Sequence, residues 1–144
     1  MQTKNLLVLI LFLALTSVGM AQVRISVSDL NGTKWRIKGS PSSEFYKYTS
    51  DREIWYKKEG VIALSHPYYL SDKPITSPKR SAFDYSKVGK RTKGCYLVTL
   101  NEAMGTTYCE RIHYFDKIDG IMETTLVTDG IIGMSYDITF FLIK

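Results

Sequence analysis

The chain has 144 residues, 44% of them hydrophobic, 23% charged and 12% aromatic, with a formal net charge of +5. That is the make-up of one globular domain, and it excludes a disordered, collagenous or coiled-coil chain. The positive excess is modest and its densest part, Lys87, Lys90, Arg91 and Lys93, has no interleaved aromatics, so nucleic acid is not an expected partner.

Residues Met1–Ala21 read as a cleaved export signal: Lys4 supplies a positive start, Leu6–Leu15 is an unbroken apolar run, and Gly19 and Ala21 form a small-x-small cleavage site. The run is too short to span a bilayer and no Cys stands at the cleavage point. A soluble, exported, periplasmic or secreted protein over residues 22–144 is expected, without a lipid anchor or a transmembrane segment once the signal is removed.

From there the chain reads as strands. A first lies around Trp35, and Glu44–Lys58 carries Phe45, Tyr46, Tyr48, Ile54, Trp55 and Tyr56, residues that suit a pleated, half-buried surface. Glu59-Gly60 then separates Arg52–Lys58 from Val61–His66 as a hairpin turn would. Pro67–Ser86, with Pro67, Pro74 and Pro78, reads as the one long irregular segment, a lid or a flap over an open end that carries Tyr68 and Tyr69. Gly94–Leu100 and Thr107–Phe115 flank Asn101–Gly105 as a further hairpin. Its inward face is expected to carry Tyr96, Val98, Leu100, Tyr108, Ile112 and Tyr114, with Cys95 and Cys109 on the outward face, where some registers allow one disulfide. Gly120–Thr128 follows between Asp119-Gly120 and Asp129-Gly130, with Met122, Thr124 and Leu126 on one face. The last strand alternates most cleanly: Met134, Tyr136, Ile138, Phe140 and Leu142 against Ser135, Asp137 and Thr139, with Phe141 breaking the polar face.

About eight short strands joined mostly by tight turns, with no helical periodicity, predict an all-β single domain: an antiparallel up-and-down barrel, just wide enough to fill its interior or hold one small ligand. No phosphate-cradling loop, Ser-His-Asp order or paired-carboxylate arrangement stands out, His66 and His113 have no metal-ligand spacing, and no cofactor is implied. A binding role is therefore expected over an enzymatic one. Two forms remain open: a small hydrophobic or amphipathic ligand held inside by Tyr68, Tyr69, Tyr96, Tyr108, Tyr114 and Tyr136, or a filled barrel acting on another protein through outward aromatics such as Phe141 and Trp55 and the Lys87–Lys93 cluster.

The stretch Asp29-Leu30-Asn31-Gly32-Thr33-Lys34-Trp35 resembles the Gly-x-Trp opening of lipocalins, with two residues between Gly32 and Trp35. Tyr68–Asp72 and Phe83–Lys90 are similar to small lipocalin-like proteins exported by Gram-negative gut bacteria. The resemblance implies a calycin-type barrel in which Trp35 plugs the closed end, Gly32 permits close backbone packing, and the open end accepts a small apolar or amphipathic molecule.

Overall fold

The computed structural model describes residues 22–128 and 136–144. The expected export signal, the Asp129-Gly130 turn and Met134 lie outside the described residues.

The described residues form ten strands and one short α-helix, besides two single 3-10 turns in the segment after β5: β1 (Ile25–Ser26), α1 (Val27–Leu30), β2 (Lys34–Ile37), β3 (Phe45–Tyr48), β4 (Arg52–Lys58), β5 (Val61–Ser71), β6 (Lys93–Gly94), β7 (Tyr96–Asn101), β8 (Thr106–Asp116), β9 (Ile121–Thr128) and β10 (Asp137–Leu142). Eight of them, β2 to β5 and β7 to β10, form a closed barrel in which neighbours in sequence are neighbours in space. Every pairing is antiparallel, and β10 closes on β2 with Phe140 opposite Ile37 and Leu142 opposite Trp35. Closure removes the free edges that an open sheet would leave. The tight turns come from chemistry already visible in the sequence: Gly60 between β4 and β5 and Gly120 between β8 and β9 have φ of +78° and +71°, which a side chain disfavours.

One end of the barrel is sealed. Ser26 N donates to the Asp29 carboxylate at 2.7 Å and starts α1, which turns Val27 and Leu30 into the core. Gly32, at φ +81°, reverses the chain and donates its N–H to Tyr48 O at 2.9 Å. That delivers Trp35 to the barrel mouth, fully buried, with Nε1 donating to Thr33 Oγ1 at 2.7 Å and its ring 5.8 Å from Phe115. Leu70, Leu97, Ile112, Met122 and Phe140 complete this core with Ile25 and Tyr68.

The irregular segment begins later than expected and runs from Asp72 to Thr92. Pro67–Ser71 belongs to β5, which runs beside β4 up to Pro67 and beside β7 from Tyr68 onward. The proline, lacking an N–H, sits where the ladder with β7 begins, a position a strand tolerates. Tyr68 and Tyr69 are accordingly buried strand residues and not part of a flap. The segment that follows straps the outer wall: Ile75, Phe83 and Val88 pack on Tyr69, Tyr96, Val98, Leu100 and Cys109. It is held by Thr107 Oγ1 donating to Lys79 O at 2.9 Å, by Leu70 N donating to Thr92 Oγ1 at 3.0 Å, and by Lys87 over the Tyr69 ring at 5.2 Å. Lys87, Lys90, Arg91 and Lys93 are exposed on this strap and its exit.

The two cysteines are buried free thiols. Cys109 stands opposite Val98, three residues along the strand from Cys95, a separation of about 10 Å at strand rise, beyond disulfide reach. Burial pushes the Cys109 thiol up to about 11 and raises that of Cys95 as well. Alkylation after denaturation without reductant is expected to modify both cysteines, while the folded protein reacts slowly at pH 8. A folded mass two hydrogens short of the reduced chain would contradict this register.

Candidate functional site

Which side chains enter the barrel follows from register. Along β3 and β4, Tyr46 pairs with Trp55 and Tyr48 with Glu53, and Trp35, Tyr48 and Tyr46 all pack with the core, so Glu53 and Trp55 face inward. On β8, Tyr108, Glu110 and Ile112 share the inward face, opposite Thr99, Leu97 and, on β9, Leu126 and Thr124. A bulge between Ile112 and Tyr114 then shifts the alternation by one residue. Phe115 turns in beside Trp35, whereas Tyr114 turns out and is 39% exposed.

The six tyrosines expected at a ligand site are therefore dispersed. Tyr68 points inward but is fully buried near the sealed end, its hydroxyl donating to Thr49 O at 2.7 Å. Tyr108 is inward and half-buried, and Tyr136, just before β10 on the inward alternation, is 48% exposed. Tyr69 and Tyr96 face the outer strap, and Tyr114 faces solvent. Tyr96, Val98 and Leu100 look inward by pattern because the strap gives β7 a second apolar face, so that both its faces are buried. Trp55, expected outside, stacks inside on Tyr46 with ring centroids 6.4 Å apart and planes 14° from parallel.

At the heart of the barrel lie two acids that composition and spacing leave unmarked. Tyr48 Oη donates to Glu53 Oε1 at 2.6 Å, and Thr124 Oγ1 donates to Glu110 Oε2 at 2.7 Å. Both acids are largely buried but keep part of their surface accessible, as do Tyr46, Trp55, Tyr108 and Leu126. These partly accessible side chains share the inward face of the barrel on the side away from the Trp35 end. Around that far end, Val61, Ile62, Leu64, Met104, Val127 and Tyr136 are large apolar residues left exposed.

Burial dominates the electrostatics. It pushes the Glu53 carboxyl up to about 7, with the nearby Glu110 charge adding to the rise and the Tyr48 hydrogen bond opposing it. Burial raises Glu110 too, against the Thr124 hydrogen bond. The phenols of Tyr46 and Tyr48 are driven up by burial and then by both acids, so they remain neutral donors. His66 stands opposite Glu53 in the β4–β5 ladder. Burial lowers its pKa, and its Nδ1 has no hydrogen-bond partner among the described residues.

The signal that marks these acids in the sequence is their phase. Glu53 alternates with Trp55, and Glu110 with Tyr108 and Ile112, so each is a lone acid on an otherwise apolar strand face. Among the described residues no three His, Cys, Asp or Glu side chains gather as a metal site requires. No helix among them is long and apolar enough to cross a membrane.

Comparison of the chain with family models, curated proteins and solved structures finds no match.

Proposed function

We propose that this chain is an exported, lipocalin-like binding protein that holds one small amphipathic molecule inside its barrel. The apolar body of the ligand lies against Tyr46, Trp55, Tyr108 and Leu126, and its polar end meets Glu53 and Glu110. The observation that carries this reading is the pair of enclosed carboxyls. A barrel built only for stability gains by filling its interior with apolar side chains, and each buried ionisable group costs several kcal/mol unless it is compensated. Retaining two of them among inward side chains that stay partly accessible is the pattern of a binding site. The exposed apolar rim offers such a ligand a path in.

Titration with a neutral environment-sensitive dye tests this. One dye per chain is expected to bind, quenching Trp55, and Leu126→Trp, which fills the space, is expected to weaken binding at least tenfold. Absence of any saturable uptake would overturn the reading. A second reading has its own support in the Tyr48–Glu53 hydrogen bond, because a carboxyl titrating at about 7 is poised for acid–base work. Conversion of a bound molecule, abolished by Glu53→Gln, would favour it over simple carriage.

A further inference from the structure

We infer that the molecule held in the barrel is a cation: an ammonium or amidinium group joined to an aromatic or branched apolar body. This rests on the ligand-binding reading above and specifies its chemistry.

The first ground is unmet charge. Tyr48 and Thr124 each satisfy one oxygen of their carboxylate, and among the described residues the second oxygen of Glu53 and of Glu110 has no hydrogen-bond donor. The ion pairs Arg24–Asp72, Lys34–Glu59, Arg52–Glu102 and Lys87–Asp84 are all at least partly exposed, and His113 approaches Glu123 on the outer wall. Neither interior acid takes part in any of them.

The second ground is the distribution of sign. The chain carries 19 Lys and Arg against 14 Asp and Glu. Yet the inward positions around the two acids hold Tyr46, Tyr48, Trp55, Tyr108, Thr124 and Leu126, with no Lys or Arg, and His66 opposite Glu53 is held toward its neutral form by burial. A protein positive overall thus encloses a negative interior. An anionic guest would be repelled there, and a neutral guest would displace water from two carboxylates without replacing its hydrogen bonds. An N–H-bearing cation supplies both the charge and the donors for two free oxygens.

The third ground is aromatic. The Tyr46 and Trp55 rings lie nearly parallel on the same inward wall as Glu53. An aromatic face attracts a cation where water is excluded, and it packs equally well against the apolar body.

The charge balance on binding is defined. The groups facing Glu53 are Tyr46 and Tyr48 from β3, His66 and Tyr68 from β5, and Glu110 from β8. Near neutral pH Glu53 is partly protonated. When the cation docks, that proton passes to the buffer and the ammonium takes its place, so binding of a positive guest releases up to one proton.

Isothermal titration of the protein with 1-naphthylmethylamine, 1-naphthylmethanol and 1-naphthoate separates the possibilities, since the three share one apolar body. The amine is expected to bind at least tenfold more tightly than the alcohol at pH 8, and the acid more weakly than either. Amine affinity is expected to fall about tenfold between pH 7 and pH 6 or below, as protons compete for Glu53, and its binding heat at pH 7 to vary with buffer ionisation enthalpy. In Glu53→Gln/Glu110→Gln, checked for folding by circular dichroism, the preference for the amine is expected to vanish. An alcohol that binds as tightly as the amine overturns the cationic assignment while the barrel-binding reading stands. Failure of all three probes to bind overturns both. The buffer-dependent heat is measured on the unaltered protein and needs no variant to fold.

Discussion

Gly94→Ala is expected to destabilise the protein by about 4 kcal/mol or more, with a fall in melting temperature on the order of 15 °C. Gly94 ends β6 and pairs with Ile25 of β1, at the point where the chain approaches the end of β5. A Cβ built there would overlap the carbonyl oxygen and carbon of Ser71 and would stand 2.8 Å from the amide nitrogen of Asp72. These are backbone atoms in a close-packed wall, so relief requires β5 to move away from β7, whose pairing starts two residues further on at Ser71–Tyr96. Leu70 and Leu97, register partners and both buried, would be pulled apart with it. Gly60→Ala supplies the contrast: its φ of +78° is unfavourable, but nothing lies within 4 Å of the added carbon. That change is expected to cost only about 1 kcal/mol. Denaturant unfolding of the two variants measures the difference, and equal losses would mean that space at Gly94 is not what the fold protects.

The strands were legible because their signals are local. Arg52–Lys58 and Ile121–Thr128 announce themselves by β-favouring residues and by Gly60 and Gly120 at their turns, and closure of an all-antiparallel meander follows from short connections. What the local pattern does not carry is which face is inside. On β7 the strap from Asp72 to Thr92 buries the outer face as well, so Tyr96 and Val98 read as core beside Leu97 although they lie on the opposite side of the sheet. On β8 a single bulge reverses the alternation, and the residue that reaches Trp35 is Phe115 instead of Tyr114. The cysteines fail to meet for a related reason: their pairing depends on register, which a hydrophobic pattern on two apolar faces leaves open.

The interior acids were hidden in a different way. Glu53 follows Arg52 and Glu110 precedes Arg111, so in sequence each looks like half of an exposed charge pair. Strand alternation sends the two members of each pair to opposite sides: Arg52 bonds outward to Glu102 at 2.8 Å while Glu53 turns in to Tyr48. Their convergence needs the β3–β4 and β8–β9 pairings together with closure of the barrel, a set of long-range facts that no window of sequence contains. The same closure makes the acids expensive to keep, and stability should reveal that cost.

Glu53→Gln is expected to stabilise the folded protein at pH 8 by on the order of 3 kcal/mol and to leave its stability near pH 4 almost unchanged. The Glu53 carboxyl is raised from 4.5 to about 7 in the folded state. Below 4.5 both folded and unfolded chains hold the proton, and the wild type carries no penalty. Between those values the unfolded chain gives up a proton that the folded chain keeps, so wild-type stability falls as pH rises; above 7 the full penalty of an ionised, buried carboxylate applies. Gln is neutral at every pH, nearly isosteric, and its amide oxygen can still accept from Tyr48 Oη, which sits 2.6 Å from Glu53 Oε1. Some pH dependence should survive in the variant, because burial raises Glu110 in the same direction. Urea unfolding at pH 4, 6 and 8 provides the check, and a stability difference that does not grow with pH would show that Glu53 is adequately solvated in the folded barrel. A gain in stability coupled to loss of the preference for an amine would mean that this acid is kept for what it binds, against the interest of the fold.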